Sequence, residues 1–305
     1  MLFNNMIDAI GYTPLVKVNG LDESYADVYV KLEKNNPSGS VKDRPVKYII
    51  KNLLDSGKVE IGGTLVESSS GNTGVGLAMA GAALGINVVI VMPDSMSMER
   101  RAIIQAYGAE LVLTPASGGM QLAGEKAAEI AKERGAVVFG QFTNDANVEA
   151  HAQTTAKEIL QDLPDVDGFV AGIGTGGTIS GVGRVLKDNN ADTVIWALEP
   201  AGSPILTEGQ VGSHKIQGLG ANFIPKILDQ SVIDQIETVT NEEAIEKAVE
   251  LAKTQGILAG ISSGANYAVA LRLAKELGKG KKVVVVLPDS GERYLSTGFF
   301  GDGQA

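Results

Sequence analysis

An α/β architecture is expected, built from two open, mostly parallel twisted sheets flanked by helices. Three observations predict it. Apolar, β-branched runs of strand length alternate with helix-length segments along most of the chain, the pattern of βαβ crossovers. Glycines are abundant, 38 in 305 residues, and gather in clusters between those runs with no collagen-like period. The clusters of small polar residues fall at strand ends or helix starts, which is where open α/β sheets bind ligands.

Residues 28–32 alternate as a strand. Val46, Ile49, Ile50, Leu53 and Leu54 follow at the i, i+3, i+4 spacing of an amphipathic helix, and Pro45 fits only the first turn of such a helix. A short strand at 65–67 leads through a serine-rich loop into a small-residue helix at 75–84. Strands at 87–92, 110–113 and 137–139 then alternate with helices at 98–107 and 120–134. A helix at 146–160 precedes strands at 168–171 and 194–198 with a helix at 179–186 between them. Residues 200–225 are irregular and glycine-rich, hence loops. Asn241, Glu242 and Glu243 cap a helix reaching about residue 255, residues 265–277 form another, and 283–287 make a fully buried strand. The turn at 141–145 is taken as the hinge between two domains, 1–145 and 146–305, with residues at about 13–34 crossing into the other sheet.

Composition excludes several classes of function. A formal net charge of -10 argues against a nucleic-acid partner, because phosphate-backbone binding needs a basic field. The absence of cysteine excludes disulfides, thiolate nucleophiles and cysteine-ligated metals, and fits a reducing, cytoplasmic location. His151 and His214 stand far apart with no carboxylate spacing around them, so no metal site is expected and both are read as structural or surface groups. Residues 1–8 lack the basic and apolar regions of a signal peptide. Residues 74–93 are long and apolar enough to imitate a membrane span, but Gly85-Ile86-Asn87 breaks them into a buried helix and a strand, so no membrane association is expected.

Two clusters carry the chemistry. Pro37-Ser38-Gly39-Ser40-Val41-Lys42 delivers one lysine to a helix start, a placement that an ordinary surface lysine does not need. Gly172-Ile173-Gly174-Thr175-Gly176-Gly177-Thr178 lies between a strand and a helix, where backbone N–H groups, the helix N-terminus and two threonine hydroxyls make an anion cradle. The same stretch satisfies a dinucleotide-binding pattern, with Glu199 at the end of the next strand as the ribose ligand, so a nicotinamide-dependent dehydrogenase is a rival reading. Lys42 has no role in that rival, and the extra glycine and threonine suit a single compact phosphate. A phosphate cradle, a positioned lysine and the loop Ser68-Ser69-Ser70-Gly71-Asn72-Thr73-Gly74 point to pyridoxal 5'-phosphate.

On these motifs, together with Lys215-Ile216-Gln217-Gly218-Leu219-Gly220, Gly260-Ile261-Ser262-Ser263-Gly264-Ala265-Asn266 and the stretch 288–297, the chain resembles pyridoxal-phosphate enzymes of the tryptophan synthase β-subunit fold, and among them the cysteine synthases (O-acetylserine sulfhydrylases). The resemblance runs from about residue 7 to residue 299. It implies that Lys42 forms the Schiff base and shuttles the substrate α-proton, and that Asn72 bonds the cofactor's ring oxygen. It implies further that Ser69, Ser70, Thr73 and Gln141 bind the amino acid's carboxylate, and that Asn72 belongs to the same substrate loop. Gly174, Thr175, Gly176, Gly177 and Thr178 would hold the phosphate, with Ser263 against the pyridine nitrogen. The implied reaction is β-replacement, O-acetyl-L-serine and sulfide giving L-cysteine and acetate through an α-aminoacrylate. The alternative is cystathionine β-synthase activity, in which homocysteine is the thiol and serine or O-acetylserine the amino acid. A homodimer is implied, as is a complex with the carboxyl-terminal tail of serine acetyltransferase. Pro37-Ser38-Gly39 and Asn144-Asp145-Ala146-Asn147-Val148 depart from the family's usual Pro-Gly-Gly and Asn-Pro-Ala-Asn-Pro.

Overall fold

The computed structural model describes residues 2–69, 71–96 and 98–300. The chain opens with β1 (Leu15–Lys17) and β2 (Asp27–Leu32), then enters α1 (Asp43–Asp55). An alternation follows, β3 (Thr64–Ser68), α2 (Asn72–Leu84), β4 (Asn87–Pro93), α3 (Met98–Ala106), β5 (Glu110–Thr114), α4 (Gly119–Arg134) and β6 (Val137–Val138). Next come α5 (Ala146–Ala150), a π-helical turn (His151–Thr155), α6 (Ala156–Asp162), β7 (Gly168–Gly172), α7 (Gly177–Asn189) and β8 (Val194–Pro200). After a long irregular stretch the chain forms β9 (Gln235–Val239), α8 (Asn241–Gln255), α9 (Ile261–Leu277) and β10 (Lys282–Leu287). By backbone contacts it divides into two units, Met1–Ile10 with Asn36–Asn147, and Gly11–Asn35 with Val148–Ala305.

The first unit holds a four-stranded sheet in the order β5-β4-β3-β6, every pair parallel. Successive side chains of a strand point to opposite faces, and both faces are apolar here. Leu65, Val88, Ile90 and Met92 join Val46, Ile49 and Ile50 of α1 and Val75, Leu77 and Ala78 of α2 in one core. Val66, Val89 and Val91 pack instead with Ala123, Ala127 and Ile130 of α4. Burial on both faces is why these strands read as continuous apolar runs. The run at 74–93 is thus most of α2 followed by β4, and among the described residues no helix is long and apolar enough to cross a membrane.

The second unit holds a six-stranded sheet, β1-β2-β10-β7-β8-β9, parallel except for the β1/β2 pair at one edge. Val28, Val30, Val283, Val285, Val170 and Leu198 form its core with Tyr267, Val269 and Leu273 of α9 and Leu251 of α8. On the other face α7 packs against β7 and β8. Lys31, fully buried, donates from Nζ to the Thr13 carbonyl at 2.6 Å and pairs with Glu158 at 2.9 Å, which ties the segment before β1 to α6.

Several elements differ from the sequence expectation. β9 went unanticipated, because an edge strand reading Gln-Ile-Glu-Thr-Val carries little alternation. The helix expected at 146–160 is interrupted by the π turn, within which His151 Nδ1 meets the Thr155 hydroxyl at 2.9 Å. The last helix starts at Ile261 and not at 265, because the Gly260 carbonyl accepts the Ser263 and Gly264 N–H groups and carries the helix back through two serines.

Helices α8 and α9 approach so closely at Gly264 that an added Cβ would lie 2.0 Å from the Ala244 carbonyl oxygen and 2.5 Å from the Ala248 nitrogen. Backbone cannot yield there as a side chain would. Gly264→Ala is expected to destabilise the fold by about 3 kcal/mol or more, read as a lowered urea midpoint. An unchanged midpoint would contradict this packing.

Candidate active site

In the first unit the loop before α1 is held by its own helix. Asp43, buried in the first turn, accepts the Ser38 N–H at Oδ2 (2.6 Å) and the Ser38 hydroxyl at Oδ1. The Gly39 N–H donates to the Asn36 carbonyl at 2.8 Å with φ +85°, a left-handed turn that suits glycine. Lys42 then occupies the residue before α1. Its N–H donates to Ser40 Oγ at 3.2 Å and its carbonyl accepts the Val46 N–H at 3.1 Å. Asp43 and Arg44 are fully buried beside it while Lys42 is half-buried, so its backbone is fixed and its side chain keeps access to solvent.

The serine loop leaves the carboxyl end of β3 and enters α2 at Asn72, earlier than the expected 75. Ser69 explains the early start. Its buried hydroxyl oxygen lies 3.0 Å from the Gly74 N–H and 3.4 Å from the Gly71 N–H, satisfying donors that a helix N-terminus leaves free. Asn72 and Thr73 therefore sit in the helix's first turn. Thr73 Oγ1 donates to Gln141 Oε1 at 2.7 Å, bringing together two residues far apart in sequence. Gln141 is fixed at its backbone too, since its carbonyl accepts Asn147 Nδ2 at 2.8 Å. Ser69, Thr73 and Gln141 are all buried, and Ser70 lies outside the described residues.

Glu67 belongs to this cluster and was missed by the sequence reading. Its carboxylate accepts Gln141 Nε2 at Oε1 and the Gly140 N–H at Oε2, both at 3.0 Å. The available signal was a lone acidic residue directly after the apolar pair Leu65-Val66 in β3. Burial pushes its carboxyl up to about 7, against the opposing pull of the Gly140 backbone and of the Gln141 side chain and backbone.

In the second unit β7 ends at Gly172 and α7 begins at Gly177, with the glycine loop between them. A Cβ on Gly174 would lie 2.3 Å from the Gly218 carbonyl oxygen, and Gly176 has φ +86°, so neither position admits a side chain without strain. The loop instead presents backbone at the start of a helix of ordinary length, which is what an anion site requires. Thr175 is buried, and its hydroxyl oxygen lies 3.4 Å from the Gly177 N–H. Thr178 Oγ1 lies 3.3 Å from His151 Nε2, so His151, read from sequence as structural or surface, is a buried prop beneath the loop.

The rival dinucleotide reading loses its acidic residue here. Glu199 is buried and its oxygens are taken by the Leu206 N–H (2.9 Å), the Thr207 N–H (2.9 Å) and the Thr207 hydroxyl (2.7 Å). That carboxylate organises the following loop.

Ser263 lies in the first turn of α9, wholly buried, and its Oγ has no hydrogen-bond partner. An unsatisfied buried hydroxyl costs roughly 1–3 kcal/mol. A ring heteroatom bound against it would remove that cost, and the glycine loop of the same unit would take a phosphate. The residues present thus fit pyridoxal phosphate.

A titration follows from Glu67. Its folded carboxyl titrates at about 7 against about 4.3 when unfolded, so the neutral form favours the fold. Stability from this group is full below the unfolded value and falls as pH rises through about 7, by at most about 4 kcal/mol. Glu67→Gln is expected to flatten that part of the urea-midpoint profile; an identical profile would show that burial has not raised the carboxyl.

Comparison with known proteins agrees with this chemistry. The family described as pyridoxal-phosphate dependent enzyme matches residues 6–289. The cysteine synthase of Staphylococcus aureus is 52% identical over 297 residues, covering 96% of each chain. Among solved structures, an O-ureido-L-serine synthase superposes with TM-score 0.96 at 43% identity, covering 100% of this chain and 97% of that one. The cysteine synthase of Entamoeba histolytica superposes with TM-score 0.95 at 39% identity, covering 100% and 93%. With a lysine fixed at a helix start, a glycine cradle and an orphaned serine in place, and with this match across most of its length, the chain belongs to the pyridoxal-phosphate dependent enzymes.

Proposed function

We propose that the protein is a cysteine synthase, joining sulfide to the β-carbon of O-acetyl-L-serine with release of acetate. The observation that carries this reading is similarity along nearly the whole chain to cysteine synthases. When bound, pyridoxal phosphate supplies an aldehyde that captures an amine and a conjugated ring that accepts electron density from the substrate Cα. With hydrosulfide as nucleophile the reaction balances: the Cβ–O bond breaks as acetate departs and a C–S bond forms.

Lys42 would hold the cofactor through Nζ until the substrate amine displaces it, and the freed Lys42 amine would then move one proton, off the substrate Cα before acetate leaves and back after sulfide has added. The fixed backbone on both sides of Lys42 sets where its side chain leaves the start of α1. The α2 N-terminus, with Ser69, Ser70, Asn72, Thr73 and Gln141, binds the substrate. The hydroxyls and the N–H groups of the first turn suit its carboxylate, and Asn72 also bonds the cofactor's ring oxygen. In the second unit Gly174, Thr175, Gly176, Gly177 and Thr178 hold the phosphate. Ser263 offers a hydroxyl without formal charge, so it does not stabilise a proton on the pyridine nitrogen as a carboxylate would. That limits charge build-up at Cα and favours loss of the β-substituent.

The family resemblance also supports a homodimer and a serine acetyltransferase tail as a ligand, and the absence of cysteine fits a cytoplasmic location. The turn at 141–145 is the basis for placing residues 1–145 and 146–305 in separate domains, with residues at about 13–34 crossing over.

Borohydride reduction of the holoenzyme followed by peptide mapping should find the cofactor on Lys42, and Lys42→Ala should lower turnover by about 10³-fold. Label on another lysine would overturn the assignment. Rates with sulfide should exceed those with homocysteine, and O-acetylserine should outrun serine; the reverse pattern would make the enzyme a cystathionine synthase.

A further inference from the structure

Glu67 takes no part in the chemistry proposed above, yet its carboxylate is buried at the end of β3 with both oxygens engaged. Oε2 accepts the Gly140 N–H and Oε1 accepts Gln141 Nε2, each at 3.0 Å. The other end of the same amide, Gln141 Oε1, accepts the Thr73 hydroxyl at 2.7 Å. We infer that the Glu67 carboxylate is a positioning residue for Thr73 and Gln141, holding the Gln141 amide with its oxygen turned to Thr73. The inference rests on the assignment of those two residues to the substrate carboxylate.

The reasoning is one of donor and acceptor count. An amide's oxygen and NH₂ group are close in size, so only partners decide which end faces which way. Gly140 donates from the backbone and cannot turn. An ionised carboxylate accepts at both oxygens, so with one on Gly140 the other can take only the NH₂ end of Gln141. A neutral group at position 67 that keeps its carbonyl on Gly140 turns its donor end toward Gln141. The amide then turns round, its NH₂ group meets Thr73, and the Thr73 hydroxyl changes from donor to acceptor. The donors this pair can offer an anion change with it.

Charged groups around Glu67 do not set its state. The neighbouring strands β4 and β6 carry no ionisable side chain, and neither does α2. The charged residues of α4 belong to the helix packed against the opposite face, through Val66. In α1 the buried charges are Asp43 and Arg44, with Lys42 just before them. None of these contributes to the raised carboxyl, on which only burial, Gly140 and Gln141 act.

Glu67→Gln is the decisive variant, assayed as holoenzyme with O-acetylserine and sulfide. At about pH 8.5 its KM for O-acetylserine should exceed the wild-type value about tenfold with kcat within about twofold. The ratio of the two KM values should fall toward one near about pH 6, where wild-type Glu67 is itself neutral; the ratio cancels titrations common to both proteins. A pH-independent ratio, or a loss confined to kcat, overturns the inference. Gln141→Ala separates the two levels. If it raises KM while Glu67→Gln changes nothing at any pH, the role of Glu67 fails alone. If Gln141→Ala also leaves KM unchanged, the carboxylate site is misplaced and the role of Glu67 fails with it. Should Glu67→Gln not fold, the wild type decides through the Gln141 side-chain amide resonance, identified by its loss in Gln141→Ala. That resonance should move as pH crosses about 7, and one that stays fixed overturns the inference.

Discussion

A parallel strand covered on both faces must release its chain at the carboxyl edge, and the backbone N–H groups of the helix that follows have no partners of their own. How those donors are satisfied governs the rest of this molecule. After β3 the donors within the loop are met by the Ser69 hydroxyl, and the helix starts early, carrying Asn72 and Thr73 into its first turn. After β7 the residue before α7 is Gly176, which has no side chain to cap the helix, and the Thr175 hydroxyl takes the Gly177 N–H at the long distance of 3.4 Å. The first edge is closed by a buried serine, and the second presents mostly glycine backbone at its helix start.

Two buried polar groups show the same economy in opposite forms. Glu67 is saturated, each oxygen holding an N–H donor, and it organises residues that a substrate would touch. Ser263 is equally buried and unsatisfied. A hydroxyl without a partner at a helix start is tolerable only if something else completes it.

Most strands and helices could be read from the chain because both sheets are covered on two faces, so Val283 to Leu287 or Val88 to Met92 appear as unbroken apolar runs. Lys42 and the glycine loop were legible for a different reason: their local sequence is unusual for any structural purpose. The edge strand β9 was not, since Ile236 and Val239 alone give no period. Neither was the π turn, because a helix with one extra residue per turn keeps a helical composition and differs only in which carbonyl each N–H reaches. Glu199 stood where a dinucleotide motif wants an acid, and sequence spacing could not show that Leu206 and Thr207 already occupied it.

What the chain alone determined is what depends on neighbours along it: alternation of strand and helix, the lysine before a helix, the glycines between β7 and α7. Such features are set by backbone geometry and by burial periodicity, both local in sequence. Only the tertiary structure decided which distant groups meet. Thr73, Gln141 and Glu67 lie on separate stretches, and their linkage follows from the parallel pairing of β3 with β6, which carries residues 140 and 141 to the end of the strand that bears Glu67. A hydrogen bond across that distance leaves no period and no motif behind it, because its geometry is fixed by strand register.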